Sequence, residues 1–390
     1  MTTARPAPVP PWRNVRVLRV VAQVVVVLLV ALLVGFLLRN LVTAMSERGL
    51  AFGFAFLDST AGFEIAETPI PYTATDTYGQ AFLVGLLNTM FVSVTGIVLA
   101  TLLGLFVGIA RLSGNWLVTK IAAGYVELIR NTPLLVQLFF LYALLLQLPL
   151  VADSIALPGS VFLNQRGLFV PAPDLTPSFG RWLLFVVGGV VVAIVIRLVA
   201  SRRAAAGRPV RRVGRVALLA LVAIPLIGWL TAFQAPIRVD VPIQERFNFS
   251  GGMALSPEFT ALLAGLVLYT AAFIGEVVRG GIQAVRRGQI EAAHALGLSP
   301  RDTLRLIVFP QALRVIVPPL TSQYLNLAKN SSLAIAIGYP DLFNVSRTMA
   351  NQTGQPVSVI VLVMTTYLAI SLGTSLLMNL YNRRVQVLER

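Results

Sequence analysis

The sequence predicts an all-α polytopic membrane protein with about eight transmembrane helices and both termini on the cytoplasmic side. Three observations carry this. The chain is 56% hydrophobic and 12% charged, with mean hydropathy +0.80, whereas a soluble domain holds about 25% charged residues. Its apolar residues gather in runs long enough to cross about 30 Å of hydrocarbon as helices. Its arginines, the main source of a net charge of +15, fall between alternate runs, so every Arg-rich connection lands on one face of the membrane.

The elements follow in order. Residues 1–16 are a Pro- and Arg-rich cytoplasmic tail. Val17–Leu38 is the first span. It is longer than the roughly 7–15-residue apolar core of a signal peptide, and Thr43-Ala44-Met45 is a poor cleavage site, so it reads as a retained anchor. Residues 40–79 are polar, with Asp58, Glu64, Glu67 and Asp76 against Arg48, and lie outside. The second span, Ala81–Ala110, carries Gly96, Ala100, Gly104 and Gly108, a small residue at every fourth position. That stripe suits close helix packing, within the chain or across a subunit interface.

Arg111 and Lys120 mark the return inside. Asn131-Thr132-Pro133 is a helix break or N-terminus, and the third span runs from it to about Leu148. Glu127 and Arg130 precede the break at i, i+3; they read equally as a structural ion pair or a functional one. Residues 149–181 form an outer loop and Trp182–Ala200 the fourth span. Arg202, Arg203, Arg208, Arg211, Arg212 and Arg215 follow as the clearest inside marker, with contact to anionic lipid as a secondary role. Val216–Phe233 is the fifth span and Thr260–Val278 the sixth, with Glu276 and Arg279 near its inner end. The seventh runs from Pro310 to about Ala328. The eighth, Val357–Leu380, is followed by Arg383, Arg384 and Arg390.

Between spans six and seven lies QIEAAHALGLSPRDTLRLIVFPQA, from Gln289 to Ala312, with the only histidine, His294. It reads as two short helices with a hinge. The first ends at Gly297, suited to the left-handed conformation that closes helices. Ser299 caps the second, Pro300 opens it, and Asp302 completes a capping box. Pro310 marks the next break or kink. Three small residues, Ala292, Ala293 and Ala295, keep the first helix thin enough to enter a partner's groove.

Several classes of chemistry are excluded. Without cysteine there is neither a disulfide framework nor a thiolate metal site, and one histidine makes no multi-histidine site. The only lysines are Lys120, after Thr119, and Lys329, after Ala328, so no Gly-Lys-Ser/Thr phosphate loop exists. The chain therefore has no ATPase site, no bound metal or cofactor and no compact acid–base set. Dispersed arginines also argue against nucleic acid.

The spacing of Glu291-Ala292-Ala293, Gly297, Ile307 and Pro310 resembles the EAA loop of the permease subunits of bacterial ATP-binding-cassette importers. ELIRNTPLLVQLFFLY, from Glu127 to Tyr142, resembles their polar amino-acid uptake branch. The runs starting at Phe52 and Ile70, with the extra spans, resemble the first permease subunit of general L-amino-acid transport systems. The resemblance implies a type I importer permease core of MetI-like fold, spans two, three, six, seven and eight. A first helix and periplasmic loop over 17–80 would be added to a permease domain over 81–390, with a further helix pair near 182–233. It implies that the six residues of the loop couple to an ATPase dimer, which uses the ATP. It further implies a second homologous permease in a heterodimer, a periplasmic amino-acid-binding protein, and the bacterial inner membrane.

Intramembrane polar residues are the candidates for the transport path, because they are costly in lipid. They are Glu276 and Arg279, then Gln323, Asn326, Lys329, Asn330 and Ser331 toward the outer end of span seven, with Glu127 and Arg130. Acidic and basic neighbours could each meet one end of an amino acid; snorkelling or helix-end contacts are the alternative. A stand-alone secondary transporter or channel would call for an ionisable relay or an inverted repeat, and neither stands out.

Overall fold

A computed structural model describes residues 15–47, 52–206, 212–231 and 235–385. Positions 1–14 of the tail, Arg48, Arg208, Arg211, Arg390 and the side chains of Arg383 and Arg384 lie outside the described residues. Among those described, seven helices are long and apolar enough to cross a membrane, or eight if one sharply bent pair counts as a span. They are α1 (Val15–Glu47), α2 (Tyr78–Ala110), the bent pair α3 (Trp116–Asn131) and α4 (Leu134–Leu146), α5 (Phe179–Ala205), α6 (Val213–Thr231), α7 (Pro257–Gln283), a composite helix over Pro300–Ala336, and Pro356–Val385.

The third span differs from expectation. The Asn131-Thr132-Pro133 break is not the foot of a straight helix but a corner of 107° between α3 and α4. Asn115 caps α3 by accepting from Leu117 N and Val118 N. Pro133 in extended backbone cannot continue that helix, and Gln137 Nε2 ties the corner by donating to Ile129 O and Thr132 O.

The chain forms two compact units. The first comprises Met1–Asn88 and Pro340–Gly373. In it the segment after α1 lays Phe56 and Ala61 into a core with Tyr78, Ala81, Val345, Met349, Val359 and Val363. Asn88 Nδ2 donates to Glu67 O and Pro340 O, each at 2.9 Å. The aperiodic runs from Phe52 and Ile70 thus pack as structure.

The second unit comprises Thr89–Tyr339 and Thr374–Arg390, and α7 is its centre. Small residues set its packing, as expected where lipid removes the hydrophobic drive between helices. A Cβ on Gly104 of α2 would come within 2.6 Å of Ile274, and one on Gly108 within 2.7 Å of Val278. Ala100 is fully buried, and Gly96 faces Leu327. Gly265 of α7 meets Leu138 of α4.

The segments flanking α5 and α6 depart from an all-helical chain. Strands β1 (Ile155–Leu157), β2 (Val161–Asn164), β3 (Gly167–Val170) and β8 (Met253–Leu255) form one antiparallel sheet in that order. Two-stranded ribbons join β4 (Ala172–Leu175) to β5 (Ile237–Asp240), and β6 (Ile243–Gln244) to β7 (Phe249–Ser250). These runs of two to four residues are too short to show a period-two pattern, and β3 finds β8 only across the α5–α6 hairpin.

Candidate functional site

The loop after α7 is built from the cap residues its sequence displays. Helix α8 (Arg287–Ala295) ends with Leu296 N donating to Ala292 O and Leu298 N to Ala293 O. Gly297, at φ +74°, makes the left-handed turn between them. Nothing lies within 4 Å of where its Cβ would be, so backbone conformation rather than space calls for glycine. Ser299 Oγ then accepts from Asp302 N at 3.1 Å and bonds the Asp302 carboxylate at 2.6 Å, starting α9 (Pro300–Thr303).

Of the break or kink expected at Pro310, the break is absent. A π turn over Leu304–Val308, which includes Ile307, leads directly into α10 (Phe309–Asn330), with Pro310 in its first turn. Widening the turn ahead of a proline that has no N–H to give keeps the chain helical. Deeper in α10 stand Pro318 and Pro319, whose missing donors release the carbonyls of Arg314 and Val315.

The faces of α8 are unequal. Ala293 is 2% exposed and rests on the body of the unit, whereas Glu291, Ala292 and Ala295 face out. Beside Gly297, Leu296 is 82% exposed. The tip is therefore a thin helix with one carboxylate and one apolar knob. Sequence spacing did not single out Leu296, because a leucine inside a helical run reads as core.

Four of the expected path residues gather, with one unforeseen partner, near the end of α7. Glu276 accepts from Arg111 at one oxygen and from Arg279 at the other. Arg279 Nε reaches the carboxylate at 3.0 Å, and its Nη1 donates to Gln283 at 2.6 Å. Arg111 also feels the charges of Glu127 and Arg130, and the Arg130 guanidinium lies 5.0 Å from the Phe273 ring centroid. Arg111 was visible in the sequence only as a topology marker; its link to Glu276 joins residues 165 positions apart.

The remaining candidates lie on α10, with Ser331 just past its end, and divide by exposure. Asn326 and Lys329 are exposed, with Ser322 one turn earlier on the same face, and Gln323 and Asn330 are half-buried beside them. Ser331 points the other way: it is fully buried and donates to Ala328 O at 2.8 Å.

Known proteins are similar to this chain in sequence. The family described as binding-protein-dependent transport system inner membrane component matches residues 189–387. The permease protein YhdX of Escherichia coli K12 is 48% identical over 94% of both chains. The general L-amino acid transport system permease protein AapQ of Rhizobium johnstonii is 45% identical over 93% of this chain and 92% of its own. The glutamate/glutamine/aspartate/asparagine transport system permease protein BztB of Rhodobacter capsulatus is 41% identical over 94% and 93%. A solved amino acid ABC transporter with histidines is 21% identical and overlaps 79% of this chain and 95% of that one, at a TM-score of 0.47.

Proposed function

We propose a division of labour within this chain, which belongs to the binding-protein-dependent transport system inner membrane component family and is a permease component of an ABC amino-acid importer. The loop from Glu291 to Pro310 seats in a partner ATPase; α10 supplies the path; the charges around Glu276 fasten α2 to α7. The observation that carries this reading is the outward face of α8, where Glu291, Ala292 and Leu296 stand free beside the left-handed Gly297.

The mechanism runs through helix continuity. ATP-driven closure of the ATPase dimer displaces α8 and α9, which are joined to α7 and α10. Ala293 and Ile307 sit on the inner side of the loop and transmit the displacement; Pro310 starts the helix that receives it. Tilting α10 re-aims its polar face between the two sides of the membrane. The cycle works because substrate and ATP each bind one state better than the other. ATP stays on the partner.

An exposed polar stripe on a membrane helix requires a polar neighbour. Asn326 and Lys329 therefore face a second permease subunit, in a heterodimer, across the route of an L-amino acid. The Lys329 ammonium meets the substrate carboxylate, and the amides of Gln323, Asn326 and Asn330 orient it. Glu276, Arg279, Glu127 and Arg130 hold the inner end of the path, since Glu276 already has an arginine on each oxygen. A periplasmic amino-acid-binding protein delivers the substrate, and the assembly sits in the bacterial inner membrane.

The test is affinity extraction of the full chain from its native membrane, beside a variant carrying Glu291→Lys and Gly297→Val. Recovery of an ATPase and a second permease with the wild type, and loss of the ATPase alone with the variant, supports the reading. A chain that keeps its ATPase despite both changes overturns it.

A further inference from the structure

We propose that the α5–α6 hairpin holds the phosphate of an anionic phospholipid at Arg197. The two helices pack chiefly against each other and enclose a groove of about 200 Å3, lined by Ala193, Ile194 and Arg197 of α5 and by Ala217, Leu218 and Leu221 of α6. Arg197 is its one charged member. Its guanidinium is exposed and has no hydrogen bond or ion pair among the described residues. No Asp or Glu occurs anywhere between Asp174 and Asp240, so the hairpin supplies no anion of its own.

Position separates Arg197 from the other arginines of this region. Arg202, Arg203, Arg212 and Arg215 stand at the ends of the two helices, where topology alone accounts for them. Arg197 lies about 7.5 Å along the axis inside Arg202, within the apolar part of the span. A charge there is costly unless it meets a counter-ion. The planar guanidinium forks onto phosphate oxygens, and the surrounding leucine, isoleucine and alanine surface accepts acyl chains. The arginines at the helix ends draw anionic headgroups to the mouth of the groove. Such a lipid covers a hairpin whose outer faces no other part of its unit shields.

Native mass spectrometry of the purified full chain with its partners tests this, using phosphatidylglycerol, phosphatidylcholine or inorganic phosphate as probe. Phosphatidylglycerol should be retained at roughly tenfold lower concentration than phosphatidylcholine, and millimolar inorganic phosphate should not displace it. Arg197→Gln should reduce that retention about fivefold or more, whereas Arg181→Gln, at the other end of α5, should not. Leu218→Trp, which fills the groove at an exposed position and keeps the charge, should give the same loss. Unchanged retention in Arg197→Gln, or equal retention of the two lipids, overturns the proposal. Displacement by inorganic phosphate also overturns it, in favour of a soluble-anion site.

Discussion

Gly297 adopts φ +74° with open space where a side chain would be, so substitutions there act through the backbone. A left-handed conformation costs an ordinary L-residue about 1–2 kcal/mol, and asparagine less. Gly297→Ala should therefore lower ATP-driven uptake in proteoliposomes roughly fivefold, on the scale of 1.4 kcal/mol per tenfold, if that strain falls on the coupled state. Gly297→Asn should lie closer to wild type. Equal uptake by Gly297→Val and wild type would remove the hinge role.

Asp341, between the spans, supplies a second residue-scale prediction. It caps the following helix by accepting from Asn344 N at 2.9 Å, and the Tyr367 hydroxyl stands 3.5 Å away. Burial pushes its carboxyl up to about 6 from 3.8, against the lowering effect of its backbone donors. An acid raised on folding contributes stability that is complete below its unfolded pKa and lost as pH rises through its folded pKa. The first unit should thus lose roughly 1–3 kcal/mol between pH 4 and 7 from this group. Asp341→Asn keeps an N-cap acceptor and removes the titration. Thermal midpoints in detergent at pH 5 and 7.5 should converge in the variant, which should be the more stable protein at pH 7.5.

At the scale of elements, the contact of α2 with α7 depends on residues without side chains. Gly104→Leu would drive a branched side chain into Ile274, already 2.6 Å from a Cβ at that position. Overpacking of this kind costs about 1–3 kcal/mol and should appear as a lower detergent melting temperature. Gly124→Ala on α3, with nothing within 4 Å, serves as the neutral comparison. The four-residue spacing from Gly96 to Gly108 was legible because a helix repeats its faces locally. Its partner was not, since Ile274 and Val278 come from a helix more than 160 residues on. The α3–α4 corner was half legible: Pro133 announces an interruption, but its angle depends on how Gln137 and the neighbouring helices pack.

At the scale of the molecule, the loop from Gln289 to Ala312, the charges around Glu276 and the polar face of α10 all belong to the unit built around α7. The α5–α6 hairpin belongs to that unit too, but its helices pack chiefly on each other. Thr176 and Pro236 at its base are joined by a backbone hydrogen bond of 3.2 Å. Replacing residues 178–234 by a short Gly-Ser linker should therefore leave an inserted chain that still extracts its ATPase. Failure of that chain to insert would show that the hairpin is needed to build the unit.

By itself the sequence determined the membrane class, the approximate positions of the spans and the caps of the loop between α7 and α10. Each of these depends on neighbours within about twenty residues: apolar length, charge bias, and the Gly297 and Ser299 signals. Tertiary structure alone decided that Ala293 faces inward while Leu296 faces out, that Arg111 closes on Glu276, that Ser331 turns away from the exposed face of α10, and that β3 pairs with β8. Those outcomes depend on which surfaces meet in a close-packed interior, and no local pattern carries that choice.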